Sequence, residues 1–186
     1  MGVFARAVTI FSRHRRLAAV GSILSVSALA VGLSAVPASA AAAFTPLQVG
    51  TYCFNDVATG YGLVDSISAV NGTTFPATVP STGCGGGSTL LQWTVYTDPF
   101  GGFNLVNTGT GQCLDSNYAA NVYTDSCNWN DSYQNWTFGG EGPGSTIQDG
   151  QTLLCLDSNE SGDVYTYSCN WNDNYQNWTI GLITPG

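Results

Sequence analysis

Beyond residue 40 no helical period stands out among the apolar positions. They come instead in short runs of β-branched and aromatic residues, such as Val122-Tyr123-Thr124, Val164-Tyr165-Thr166, Asn135-Trp136-Thr137-Phe138 and Asn177-Trp178-Thr179-Ile180. Clusters of Asn, Asp, Gly and Ser separate these runs, among them Asn107-Thr108-Gly109-Thr110-Gly111 and Gly139-Gly140-Glu141-Gly142-Pro143-Gly144. β-Branched and aromatic side chains suit a pleated, half-buried surface, whereas Gly, Asn and Asp suit turns. Short strands at intervals of about 8–12 residues with turn signals between them predict an all-β domain. Residues 17–36 are of another kind, an uncharged stretch of apolar and small residues.

The polar and apolar pattern also repeats. Cys113–Phe138 and Cys155–Ile180 align at an offset of 42, with 19 of 26 positions identical. A fainter copy precedes them: Cys84 stands nine residues before Trp93, as Cys127 does before Trp136 and Cys169 before Trp178. On this count Cys53 takes the place of Cys113 and Cys155, with 31 rather than 14 residues to its partner cysteine. The 17 additional residues fall within Val57–Gly83, which reads as an extended loop. A single repeat of this size cannot bury its own apolar face. Three of them closing on a pseudo-threefold axis can, with Trp93, Trp136 and Trp178 sharing the core. The expected boundaries are residues 44–98, 99–142 and 143–186.

Charge divides the chain in two. All four cationic residues, Arg6, Arg13, Arg15 and Arg16, and the single His14 lie in the first 16 positions, whereas all 12 acids lie between Asp56 and Asp173. A basic start, an apolar stretch and Ala38-Ser39-Ala40 together predict a secretion signal over residues 1–40, cleaved after Ala40. The alternative is an uncleaved anchor, which a 20-residue uncharged stretch is long enough to form. The remainder, 41–186, has a formal charge of −12 and no Lys, Arg or His. That excludes imidazole-based nucleophilic catalysis, Schiff-base chemistry and arginine clamps on phosphate. It also excludes nucleic acid as a partner, because phosphate contacts require clustered cations. No cofactor and no metal site are expected. The six cysteines, all in the exported part, predict disulfides rather than a metal centre, and the repeat selects Cys53–Cys84, Cys113–Cys127 and Cys155–Cys169.

Cys113-Leu114-Asp115 with Gln134-Asn135-Trp136, and Cys155-Leu156-Asp157 with Gln176-Asn177-Trp178, resemble the ricin B-type lectin family. The resemblance implies a β-trefoil of three repeats and shallow pockets for neutral sugars. In that family the Asp two after the first Cys accepts hydrogen bonds from sugar hydroxyls. An aromatic residue two before the second Cys stacks on the apolar face of the sugar, and the Gln supports the polar side. For repeat three this implies Asp157, Tyr167 and Gln176, with Tyr165 and Asn174 beside them. For repeat two it implies Asp115 and Gln134, but Asp125 occupies the platform position. A carboxylate cannot stack, so either Tyr123 or Trp129 substitutes, or the site is weak. In repeat one Asn55, Leu91 and Thr82 fall at the corresponding positions, and no site of the family type is expected.

Elementary chemistry points the same way. A carboxylate beside an aromatic plane meets both the hydroxyls and the C–H face of a neutral polyol without any cation. The expectation is therefore a secreted, non-catalytic lectin for neutral glycans or polysaccharides, with no membrane contact once the signal is removed. The alternative is a trefoil used as a structural, protein-interaction or inhibitor module, since fold does not fix function.

Overall fold

The computed structural model describes residues 44–66, 76–80, 87–140 and 144–183. The described residues are all-β, with twelve strands arranged as three groups of four. The first group is β1 (Gln48–Asp56), β2 (Tyr61–Val64), β3 (Ala77–Pro80) and β4 (Trp93–Thr97). The second is β5 (Phe103–Asn107), β6 (Cys113–Ser116), β7 (Val122–Asp125) and β8 (Trp136–Gly139). The third is β9 (Thr146–Asp149), β10 (Cys155–Ser158), β11 (Val164–Tyr167) and β12 (Trp178–Leu182). A short 3-10 turn precedes the last strand of each group: Thr89–Leu91, Ser132–Gln134 and Asn174–Gln176.

The first and last strands of every group build a six-stranded antiparallel barrel. Strand β1 pairs with β4 and β12, β5 with β4 and β8, and β8 with β9. The ring closes between β9 and β12 at Ser145 and Trp178, whose backbones exchange bonds of 2.9 and 2.8 Å. Closure leaves no exposed edge in the barrel. The other six strands form three hairpins, β2–β3, β6–β7 and β10–β11. Backbone bridges Ala77–Asp163 and Asn121–Tyr165 join these hairpins across repeat boundaries. This is the β-trefoil arrangement.

Three layers of equivalent side chains fill the centre. Phe54, Leu105 and Ile147 come from the first strands, Leu63, Leu114 and Leu156 from the second, and Trp93, Trp136 and Trp178 from the start of the fourth; all nine are fully buried. Each indole N–H donates to the carbonyl of the leucine in its own repeat, Trp93 to Leu63 (3.1 Å), Trp136 to Leu114 (2.9 Å) and Trp178 to Leu156 (3.1 Å). Burying an indole therefore leaves no polar group unpaired. Towards the opposite end of the barrel Val95, Phe138 and Ile180 line an apolar cavity of about 220 Å³ together with Val49, Tyr52, Phe54 and Phe103.

These indole bonds also correct the reading of repeat one. They make Leu63 the counterpart of Leu114 and Leu156, so Val64, not Asn55, stands where Asp115 and Asp157 stand. Cys53 lies on β1, a first strand, whereas Cys113 and Cys155 open second strands. The expected loop at Val57–Gly83 in fact contributes the β2–β3 hairpin, paired from Tyr61–Pro80 to Val64–Ala77. Counting back from Cys84 to the nearest cysteine skipped this hairpin, because Gly62 replaces the cysteine that marks it in the other repeats. Two predicted disulfides are present, Cys113–Cys127 and Cys155–Cys169, each with Cα atoms 5.0 Å apart. Cys84 lies outside the described residues, and so does the bridge Cys53–Cys84.

Replacing Trp178 with Phe removes the indole donor and leaves both a void and an unpaired carbonyl at Leu156. A loss of about 2–4 kcal/mol is expected, read as a lower urea midpoint at unchanged slope. Trp93→Phe and Trp136→Phe should cost about the same, since the bond is equivalent in all three repeats.

Candidate functional site

The β10–β11 hairpin pairs Asp157 with Tyr165 and Cys155 with Tyr167. Side chains alternate along a strand, so Asp157, Tyr165 and Tyr167 share the face opposite the buried Leu156 and Thr166. The Cys155–Cys169 bridge then returns the chain over this face. Asp173 accepts a bond from the Tyr175 amide (3.1 Å) and starts the 3-10 turn that carries Gln176.

Gln176 is fully buried and uses three of its hydrogen-bonding positions. Its Nε2 donates to Asp157 Oδ2 (2.9 Å) and to the Ser168 carbonyl (3.1 Å), and its Oε1 accepts from the Asn170 amide (2.8 Å). The amide therefore ties the disulfide loop to the carboxylate and fixes how that carboxylate is turned. Asp157 Oδ1 has no hydrogen-bond partner among the described residues. The Tyr165 hydroxyl, beside this carboxylate, donates to the Ser158 carbonyl (3.2 Å). Tyr167 is 63% exposed, and Asn174 is exposed on the turn.

Repeat two reproduces the same framework. Gln134 donates to Asp115 Oδ2 (2.9 Å) and to the Ser126 carbonyl (3.2 Å), and accepts from the Asn128 amide (2.9 Å). Tyr123 donates to the Ser116 carbonyl (3.3 Å), and Asp115 Oδ1 is again without a partner. Asp125 is exposed and accepts from the Ser126 amide. Repeat one has Val64 and Leu91 at the carboxylate and amide positions, so the framework is absent there.

Both carboxylates are nearly buried, Asp115 at 4% and Asp157 at 3% exposure. Burial pushes the Asp115 carboxyl up to about 6, against the hydrogen bond from Gln134, and the nearby charge of Asp131 adds to the rise. Asp157 is raised for the same reasons, with Gln176 opposing and Asp173 adding. The Tyr123 hydroxyl is pushed to about 12 by burial and by Asp115. Sequence reasoning brought together Asp157, Tyr165, Tyr167 and Gln176, and likewise Asp115, Tyr123 and Gln134. It missed Asp131 and Asp173, which cap the turns carrying the two glutamines. The signal was present: Asn-Trp-Asn-Asp recurs unchanged in both repeats, three residues before each Gln. Trp129 is half-buried on the disulfide loop. Its ring meets Tyr96 of the preceding repeat edge-on at 5.6 Å. Trp171 packs likewise on Gly139 and Gly140, where a Cβ on Gly140 would come within 3.2 Å of the indole.

A closed six-stranded barrel with three hairpins, each hairpin of repeats two and three carrying a glutamine-braced aspartate, defines the β-trefoil lectin class. The family model for the ricin-type beta-trefoil lectin domain matches residues 67–179, and the chain belongs to that family. This family membership implies carbohydrate binding in general terms. No curated protein sequence gave a significant match. Among solved structures, the fold is similar to a designed threefold-symmetric protein, ThreeFoil, with a TM-score of 0.61 and 20% identity over 72% of this chain and 99% of that one. It is also similar to a salivary protein of the cysteine- and tryptophan-rich family from Culex quiquefasciatus, with a TM-score of 0.60 and 20% identity over 76% and 98%. A GlcNAcα1-4Gal-releasing endo-β-galactosidase from Clostridium perfringens matches with a TM-score of 0.62 and 13% identity, over 73% of this chain and 33% of the enzyme. At these identities the likeness concerns the fold alone.

The raised carboxyl groups set the direction of a pH effect. A carboxyl whose folded value lies above its unfolded value binds protons more readily in the folded state, so stability falls as pH rises through that interval. For Asp115 the interval runs from 3.8 to about 6. The melting temperature is expected to be higher near pH 4 to 5 than at pH 7, and Asp115→Asn should flatten this dependence in thermal scans across the interval.

Proposed function

We propose that the protein is an exported, non-catalytic lectin for neutral sugars, with its best site in repeat three. The observation that supports this reading is the exposed Tyr167, on the same hairpin face as the Asp157 carboxylate that Gln176 holds. A neutral sugar offers a C–H face to the ring and hydroxyls to the carboxylate, whose Oδ1 is buried in the free protein and has to be uncovered on binding. A hydrogen bond to a carboxylate is the stronger, charge-assisted kind. With 12 acids and no cation after residue 40, sialylated, sulfated or phosphorylated glycans are repelled. The same absence leaves no His or Lys for catalysis, and the paired carboxylates of a glycosidase flank a cleft, whereas these aspartates each sit in a separate repeat. Export follows from the leader expected at residues 1–40 and agrees with the disulfides at Cys113–Cys127 and Cys155–Cys169.

The 3% exposure of Asp157 favours a second reading. In it the Asp–Gln pair is a clip that holds the disulfide loop, and the trefoil serves as an interaction scaffold. Tyr167 separates the two, because it is exposed and adds little to stability. Calorimetric titration with D-galactose, lactose and N-acetylgalactosamine should show millimolar binding, about −4 kcal/mol per site. Tyr167→Ala should weaken the repeat-three site at least tenfold at unchanged melting temperature. No heat with any neutral sugar, across a glycan array as well, overturns the lectin reading in favour of the scaffold.

A further inference from the structure

The barrel layer beyond the core breaks the threefold symmetry that the core keeps. Two residues before Phe54, Leu105 and Ile147 stand Tyr52, Phe103 and Ser145. Register makes these three equivalent, since each faces the tryptophan of its own repeat: Tyr52 faces Trp93, Phe103 faces Trp136 and Ser145 faces Trp178. Alternation along a strand turns each one inward with the core residue two positions on. Repeats one and two therefore supply an aromatic ring to this layer, and repeat three supplies only a hydroxymethyl group. Val95, Phe138 and Ile180, two residues after the tryptophans, complete the layer.

The apolar cavity of about 220 Å³ lies in this layer. None of its wall side chains is charged, and the Tyr52 hydroxyl is the only polar side-chain group among them. An apolar cavity of about 150 Å³ stays dry and accepts a benzene ring, so this one has room for a ring with a small substituent. Its walls are themselves arranged as an aromatic array. Phe138 stacks on Phe54 with centroids 6.0 Å apart and planes at 12°, and meets Phe103 at 5.4 Å and 34°. Rings at such separations attract beyond their area burial, and a further ring extends the array. The strand geometry opens a mouth to it. The β1–β4 register shifts between Gln48 and Gly50, which makes Val49 the extra residue of a bulge. A bulge at a barrel rim re-aims a side chain. Val49 lines the cavity and is 48% exposed, so it is the side chain a ligand passes. Gly50 beside it leaves space for the Tyr52 ring, because a Cβ there would stand 3.0 Å from Tyr52 Cε2.

We propose that this end of the barrel is a binding site for a small uncharged aromatic molecule, one ring of which takes the place that Tyr52 and Phe103 fill in the first two repeats and Ser145 does not. Removal of the ring's apolar surface from water supplies the affinity, and the stacked phenylalanines favour a flat ring over a flexible chain. Anionic amphiphiles such as fatty acids are turned away, because residues 41–186 hold 12 acids and no cation to meet a carboxylate. The site does not depend on the lectin reading, since neither Asp157 nor Tyr167 lines the cavity.

Titration of the methyl-labelled protein with toluene, followed by magnetic resonance, tests this. The methyl signals of Val49, Val95 and Ile180 are expected to shift and saturate, with a dissociation constant on the order of 1 mM. Those of Val122 and Val164, on the hairpins, should stay in place, and benzoate at the same concentration should move none. Ser145→Phe supplies the third ring and should weaken toluene binding at least tenfold, with a melting temperature no lower than that of the wild type. Val95→Phe places the residue of repeat two on the opposite wall and should weaken binding as much, which keeps the test open if Ser145→Phe does not fold. The site is wrong if the shifts fail to saturate, if the hairpin methyls move as far as the cavity methyls, or if a folded filling variant binds toluene as the wild type does. If the cavity methyls respond to protein concentration and not to toluene, this end meets a second copy of the chain and the proposal falls.

Discussion

Each repeat is locked by one hydrogen bond from a buried indole to a buried carbonyl, Trp93 to Leu63, Trp136 to Leu114 and Trp178 to Leu156. The tryptophan opens the last strand of its repeat, which belongs to the barrel, and the leucine lies on the second strand, which belongs to a hairpin. The bond therefore sets the register between the two substructures, and does so three times about the axis. Everything at the surface inherits that register. Asp115 and Asp157 follow the bonded leucines directly, and Gln134 and Gln176 precede the bonding tryptophans by two residues. A shift of one residue at the indole would separate each aspartate from its glutamine.

The same closure must be achieved without a cation, because the described residues contain no Lys, Arg or His. Buried acids are met by neutral donors instead. Asp56 accepts from the Thr59 amide and from Ser158 Oγ of another repeat (3.0 Å), and Asp65 accepts from Thr110 (2.6 Å) and Thr124 (3.1 Å). Neutral donors satisfy geometry but compensate charge only in part, so burial raises the carboxyl groups of Asp115, Asp149 and Asp157.

Much of this was legible in the sequence, because repetition exposes what a fold constrains. The identical stretches around Cys113–Phe138 and Cys155–Ile180 gave the strands, the two disulfides, the tryptophan core and the Asp–Gln pairs. Repeat one was misread where it has diverged most. Gly62 in place of a cysteine and the separation of 30 residues between Leu63 and Trp93, against 22 in the other repeats, hid the β2–β3 hairpin from a count based on cysteines. The leucine and tryptophan would have given the register, since burial constrains them in every repeat. The near-burial of the aspartates was not legible either, because it arises from the loop that the disulfide folds back over them.

Divergence among the repeats follows from the division of labour between core and surface. Trp, Leu and the first-strand apolar residue recur in all three repeats, whereas the hairpin faces do not. Repeat one has Val64 and Leu91 in place of the Asp–Gln pair, and repeats two and three differ at the hairpin turn and its open end. Substitution at those exposed positions leaves the indole bonds untouched, so it changes what a hairpin can hold without changing where the hairpin stands. Tyr118 and Asp125 beside Glu160 and Tyr167 show how far this freedom extends. Among the seven differences in otherwise matching 26-residue segments, two interchange an aromatic with an acid.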